Sequence, residues 1–275
     1  MIRKILVDEV SNSLPDDECA ILLSGGVDSI SVAFAADEIG KKITAYSFYL
    51  YGNPTYDFLT ARNISKIMGW RFIGIEIPVD NLVNDFHRLV ELGCKKKTHF
   101  ECGFPFLYVY PRIEEKYVLS GWAADGYYGL SKKAKINYKH TKELFDGFRR
   151  KYFLPDERAG YIQHRKIAKN HQKNLITPYL ASSVSDYFFS MDWYELNEPS
   201  EKHHIRTAFR AEFERIGKIK NHINLQLGAA IPELFATLLD DTAVNFRHRV
   251  RMMDVCGDWY RKNRQEGKSG LEDFF

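Results

Sequence analysis

Two aspartates in glycine-rich surroundings carry the strongest chemical signal of this chain. The first, Asp28, lies in Ser24-Gly25-Gly26-Val27-Asp28-Ser29, directly after the apolar run at residues 19–23. Gly25 and Gly26 permit φ > 0 and let a ligand approach the backbone closely. Several N–H groups can then converge on one anion, with a helix N-terminus behind them. Ser24 and Ser29 add hydroxyl donors. Such a loop is a phosphate cradle. A carboxylate repels bare phosphate, so Asp28 makes sense where Mg2+ bridges the two. The second aspartate, Asp125, follows Ser120-Gly121-Trp122-Ala123-Ala124 at the end of another apolar run. Two such loops on neighbouring parallel strands face one crevice, and Asp28 and Asp125 can share that Mg2+. No GxxxxGK[ST] occurs, so this is not the Walker loop with its phosphate-binding lysine.

The elements that must hold these loops alternate. Residues 2–14 carry Ile2, Ile5, Leu6, Val10 and Leu14 at helical spacing. "CAILL" reads as a buried strand, and "ISVAFAADEIG" as a helix closed by Gly40. "ITAYSFYL" is a second strand, and "YDFLTARNISKIMG" a helix ending at Gly69. "RFIGIEIPV" is a third strand, "NLVNDFHRLVELG" a helix with Asn81 as N-cap, and "KYVLSG" a fourth strand. Strands separated by helices indicate βαβ units, hence an α/β fold with a parallel sheet and helices on both faces. Strand signals stop after about residue 130, and the remainder reads as helices punctuated by Pro155, Pro178, Pro199 and Pro232. The expected division is residues 1–130 as a nucleotide-binding α/β part. Residues 131–275 then form a helical part packed on it, in one domain or two.

With these residues in place, SGGxDS resembles the PP-loop of the ATP pyrophosphatases, which share an adenine-nucleotide alpha hydrolase (HUP-like) fold. There it grips the β- and γ-phosphates that leave together as pyrophosphate. Ser120-Gly121-Trp122-Ala123-Ala124-Asp125, with Gly129 beyond, resembles the SGxGADExxGG signature of the asparagine synthetase synthetase domain. "ITPYLASSVSDYF" is similar to its P-[FY]-L-D segment, "KHHIRTAF" to its K-x-x-L-R-x-A, and "KIKNHINLQLGAAI" to its RxK…G-x-G-I region. The likeness covers roughly residues 18–235. It departs at Trp122, where the family has an acidic residue, at Gly126, which replaces a glutamate, and at Ala181, which replaces an aspartate. Met1 is followed by Ile2 rather than the glutaminase cysteine, so this chain is not expected to release ammonia from glutamine.

The resemblance implies ATP and Mg2+ as cofactors and a carboxylate attacking the α-phosphorus. An acyl-adenylate forms, and ammonia or an amine, from a separate amidotransferase or free, displaces AMP. Lys220 aligns with the lysine of RxK, near the phosphates or the intermediate, and Lys218 takes the arginine's place; the alternative is two surface lysines. Arg206 is a weaker candidate for the same crevice. Ser47 and Phe48 lie beside the adenine by the same likeness, or merely end a buried strand. Asp57 matches an acidic position of the family, or serves only the helix dipole.

The chain is 275 residues long and 45% hydrophobic, enough for a sizeable core. Its net charge of +3 does not by itself argue for nucleic acid. The basic clusters at residues 95–97, 132–135, 149–151 and 247–251 read as solvated faces. Four cysteines are too few for a disulfide framework, and Cys94, His99 and Cys102 lack the fourth ligand of a zinc site. His203 and His204 have no metal-ligand spacing. No apolar run approaches the roughly 20 residues of a membrane helix. Asp8 and Glu9 interrupt any signal peptide, so a cytoplasmic protein is expected. Two rival readings remain. One is a PP-loop enzyme acting on a tRNA or nucleotide base, although HxxDD and cysteine pairs are missing. The other is an ATP-binding module serving a partner.

Overall fold

The computed structural model describes residues 1–153, 160–219 and 228–238. Its centre is a five-stranded sheet: β1 (Glu18–Leu22), β2 (Lys42–Leu50), β3 (Arg71–Ile77), β4 (Tyr117–Ser120) and β5 (Asn174–Ile176). The strands run in the order β3-β2-β1-β4-β5, and every pairing is parallel. Register aligns Leu22 with Tyr46 on one side and with Ser120 on the other. The carboxyl ends of β1 and β4 therefore lie side by side.

Alternation along the strands sends neighbouring residues to opposite faces. Cys19 and Ile21 of β1 and Leu119 of β4 enter one core, whereas Ala20 and Val118 enter the other. The first core receives Leu6 and Val10 of α1 (Ile2–Ser13), Ile30 and Phe34 of α2 (Val27–Glu38), and Ile64 of α3 (Tyr56–Met68). The second receives Phe86 and Leu89 of α4 (Leu82–Glu91), Phe100 of α5 (Lys97–Gly103) and Phe106 of α6 (Phe106–Val109). After β4 come α7 (Asp125–Tyr128), α8 (Lys132–Asn137), α9 (Lys142–Tyr152) and α10 (Tyr161–Asn170). After β5 come α11 (Ser182–Phe189), α12 (Trp193–Asn197), α13 (His203–Ala208) and α14 (Arg210–Ile216), and Ile231–Leu238 is helical too. Helices thus cover both faces, as the alternation of the sequence requires.

Several expectations need correction. A fifth strand exists in the half expected to be helical: β5 pairs with β4 through Tyr117–Asn174, Val118–Leu175 and Leu119–Ile176. Three residues are too short to display strand alternation in sequence. Asn81 is the residue before α4, but its side chain caps no backbone group and instead accepts from Asn84 Nδ2 at 2.7 Å. The basic run at 149–151 is not wholly solvated. Arg149 is fully buried and donates to the Phe188 and Met191 carbonyls at 2.8 and 2.9 Å, with Asp146 as its ion-pair partner. Its neighbour on the same helical face, Phe145, is buried as well. The cluster at 247–251 and Cys256 lie outside the described residues. Among the described residues no group of three His, Cys, Asp or Glu side chains forms a metal site, and no helix is long and apolar enough to cross a membrane.

Candidate active site

The loop at 24–29 joins β1 to α2 and is tied by its own hydroxyls. Ser29 Oγ accepts from the Ser24 N–H at 3.1 Å and donates to the Gly26 carbonyl at 3.1 Å. Ser24 Oγ lies 3.0 Å from Ser29 Oγ and accepts from the Gly26 N–H at 3.3 Å. Ser29 was expected as a ligand donor; in this arrangement its proton holds the loop together. Gly25 adopts φ +74°, and a Cβ there would sit 2.8 Å from the Asp57 carbonyl oxygen. The loop therefore rests on the first turn of α3, and Val27 begins α2 with a buried side chain.

The second loop meets the first. A Cβ on Gly121 would fall 2.5 Å from the Ser29 nitrogen and 2.6 Å from the Asp28 carbonyl carbon. Only glycine lets these backbones touch. Ser120 Oγ accepts from the Trp122 N–H at 3.2 Å. Ala123 then takes φ +75°, the left-handed region that L side chains disfavour. The turn delivers Asp125 to the start of α7, which Gly129 closes at φ +58°.

One residue joins both aspartates. Lys202 Nζ donates to Asp28 Oδ2 at 2.5 Å and to Asp125 Oδ1 at 2.7 Å. Lys202 is only 3% exposed, and its ammonium also lies 5.0 Å from the centroid of the Tyr128 ring. It is held in a left-handed conformation (φ +59°) just before α13. Its N–H donates to Asn197 Oδ1 at 3.3 Å, and Asn197 Nδ2 donates to the Tyr128 carbonyl at 2.9 Å. Asn197 thereby ties α12, α7 and the lysine together. The sequence reading quoted this lysine within "KHHIRTAF" but gave it no role.

The charges perturb one another. Burial pushes the Asp28 carboxyl above its usual range; the Asp125 charge adds to this, and Lys202 opposes it. For Lys202, burial disfavours the ammonium, but the two carboxylates outweigh it and hold the proton above the ordinary lysine range. Arg206, on the same short helix, has its pKa lowered by burial, while the Asp28 charge pulls the other way. The Arg206 Cζ is 5.7 Å from the centroid of the Phe213 ring.

Two carboxylates beside a phosphate cradle are the donor set that a Mg2+ carried on a nucleotide uses, with phosphate oxygens and water completing its shell. Asp28 Oδ1 is buried and makes no hydrogen bond, which leaves one oxygen for such an ion. The residues therefore fit the metal, although an internal ammonium now spans them.

Beside the loop, an apolar pocket opens at the ends of β1 and β2. Ser47 and Phe48 line it, with Leu22, Ser24, Tyr46, Phe58 and Phe106. Asp57 reaches the same wall from the first turn of α3. Ala229, in the segment compared above with G-x-G-I, closes another side. Lys218 is exposed, and Lys220 lies outside the described residues.

The parallel sheet, the paired glycine loops and the carboxylates at the strand ends define an α/β nucleotide-binding protein of the PP-loop type. A family profile described as asparagine synthase matches residues 1–215, and the chain belongs to that family of ATP-using, ligase-like proteins. A comparison with curated proteins returned no match. Among solved structures, the chain is similar to "predicted subunit of tRNA methyltransferase" from Methanocaldococcus jannaschii DSM. Identity is 13% and the TM-score 0.36, over 74% of this chain and 93% of that one. It is likewise similar to NMN synthetase from Francisella tularensis, at 16% identity and a TM-score of 0.35, over 81% of this chain and 97% of that one.

Proposed function

We propose that this protein activates a carboxylate with ATP, releasing pyrophosphate, and passes the acyl group to ammonia or an amine. The observation that carries this reading is the backbone contact of the two glycine loops, each bearing an aspartate, beside the apolar slot. The adenine would enter the slot beside Ser47 and Phe48. The triphosphate would then run toward Gly25 and Gly26, whose backbone can reach it without side chains in the way. Asp28 and Asp125 would hold the Mg2+ that arrives with ATP, and that ion neutralises charge building on the leaving pyrophosphate. An oxygen of the acid attacks the α-phosphorus; the new O–P bond forms as the bond to the β-phosphate breaks. Lys202, freed from the carboxylates, is a mobile ammonium at the phosphates, and Arg206 adds a fixed positive charge. The nitrogen nucleophile then attacks the acyl carbon, and AMP leaves. The nitrogen would come from solution or from a separate amidotransferase. Cys19, whose thiol burial pushes up to about 12, is an inert thiol of the kind a reducing cytoplasm favours.

Pyrophosphate release from ATP and Mg2+ against a pool of carboxylic acids tests this reading, with Asp28→Ala and Asp125→Ala as controls. Release that needs an acid and both aspartates supports it. Orthophosphate in place of pyrophosphate refutes attack at the α-phosphorus. One observation favours a second reading: Lys202 already neutralises the pair that would hold the metal, as suits an ATP-binding module that works with a partner. ATP binding without turnover of any acid or RNA would select that alternative.

A further inference from the structure

Next to the phosphate loops, the second core ends in a row of rings. Phe106 lines the apolar slot and lies 6.5 Å from Phe48 and 6.3 Å from Trp122, centroid to centroid. The imidazole of His164 stacks on Phe106 at 3.8 Å with planes 7° apart, and lies 5.1 Å from Trp122. Tyr161 stands 6.3 Å beyond Trp122. Trp122 is only partly buried. Its position follows from Gly121: that residue is pressed against Asp28 and Ser29, so the next side chain emerges where the two loops meet. An acid attacking a phosphate held by these loops must bring the rest of its body past this point.

The rings packed near Trp122 are uncharged, and the cation beside them, Arg165, is exposed with its Cζ 5.9 Å from the centroid of the Tyr161 ring. His164 is fully buried, and its Nε2 pairs with the Tyr110 hydroxyl at 2.7 Å. Burial drives its pKa down to about 3, so it carries no charge at neutral pH. Tyr161 pairs through its hydroxyl with Thr177 Oγ1 at 2.9 Å. A charged amino acid held against such rings would give up hydration to uncharged neighbours. A flat, uncharged ring would instead gain offset or edge-on stacking.

We infer that the acyl subsite takes an aromatic carboxylic acid with no second charged group, its ring packed on Trp122. The inference rests on the adenylation reading for what happens to the acid, but not for whether the acid binds. Calorimetry would titrate benzoate, indole-3-carboxylate, aspartate and glutamate into the protein carrying Mg2+ and a non-hydrolysable ATP analogue. The aromatic acids should bind at least tenfold more tightly than the two amino acids. Trp122→Ala should abolish that preference, and Trp122→Phe should retain most of it. Equal or tighter binding of aspartate overturns the inference, as does an aromatic preference that survives in Trp122→Ala. ATP–pyrophosphate exchange with the same acids separates the two ideas. Aromatic binding without exchange sinks adenylation and leaves the subsite standing, whereas exchange driven by aspartate does the reverse.

Discussion

The amide nitrogen of Ser29 lies 2.5 Å from where a Cβ of Gly121 would be, so the two phosphate-side loops are in backbone contact. Neither loop can move independently of the other at that point. Gly121→Ala must push them apart, because the three crowding atoms, the Ser29 nitrogen and the Asp28 carbonyl carbon and oxygen, are all backbone. Overpacking of this kind costs about 1–3 kcal/mol. Urea unfolding should show that loss, and pyrophosphate release should fall at least a hundredfold.

Lys202 is the cation that makes two nearby carboxylates tolerable. Removing one partner of a buried ion pair costs about 3–5 kcal/mol. Lys202→Met should therefore lower stability by an amount of that order at pH 7 and low magnesium. Added Mg2+ or Mn2+ should restore part of it, since the divalent ion can take the ammonium's place. In the wild type without nucleotide, the same metals should stabilise little. A thermal-shift titration with each metal reads both outcomes, and equal metal responses in the two proteins would count against the competition.

Two buried histidines set an acid limit. Burial lowers His164 to about 3 and His204 to about 4, against an unfolded value near 6.5. Each stays neutral in the fold while the unfolded chain takes up a proton. Their contribution is therefore fully present above about pH 6.5 and is lost as pH falls toward the folded values. The slope approaches about 1.4 kcal/mol per pH unit for each histidine. His164→Gln, which can keep the bond to Tyr110, should remove one histidine's share of the slope between pH 6 and pH 4.5. Asp28 acts with the opposite pH sense. Its raised pKa means stability present below the unfolded carboxyl value and lost as pH rises through the folded one. Asp28→Asn should accordingly gain on the wild type as pH rises above about 4.

Ala123 holds a left-handed conformation that its Cβ disfavours by about 1–2 kcal/mol. Ala123→Gly relieves that strain but loosens the unfolded chain. The net expectation is a gain below about 1 kcal/mol, with the melting temperature rising by about 1–3 °C. A fall would show that the alanine methyl makes contacts worth more than the strain.

Arg149 and Lys151 stand two residues apart in one basic run and should behave oppositely. Arg149→Leu orphans the Met191 carbonyl, and it leaves the Phe188 carbonyl with the Met191 N–H and Asp146 with Lys142. It should cost about 3–5 kcal/mol. Lys151→Ala, at an exposed position, should stay within about 0.5 kcal/mol.

What the sequence disclosed is what local chemistry dictates. The loop at 24–29 and the turn at 120–125 need glycines and aspartates in a fixed local order, so both were legible. So were β1 to β4 and their helices, through alternation and helical spacing; Gly69 even ends α3 in the left-handed conformation a C-cap requires. Lys202 was not legible as a site residue. It reaches Asp28 across 174 residues and Asp125 across 77, and its only local mark is a lysine in a weakly matching segment. Arg149 was hidden because a basic run looks solvated, although Phe145 four residues earlier marked the buried face. β5 carries three residues, too few for any periodicity to register.

The strand order β3-β2-β1-β4-β5 has one further consequence. From β1 the chain winds outward through β2 to β3, then returns to β4 and winds the opposite way to β5. Between β1 and β4 lies the switch point, where successive connections diverge and leave a notch at the strand ends. The notch is a property of connectivity rather than of any side chain. Replacing Trp122, Ala181 or Gly126 can alter the lining of the crevice, but it leaves the notch where the winding of the chain has put it.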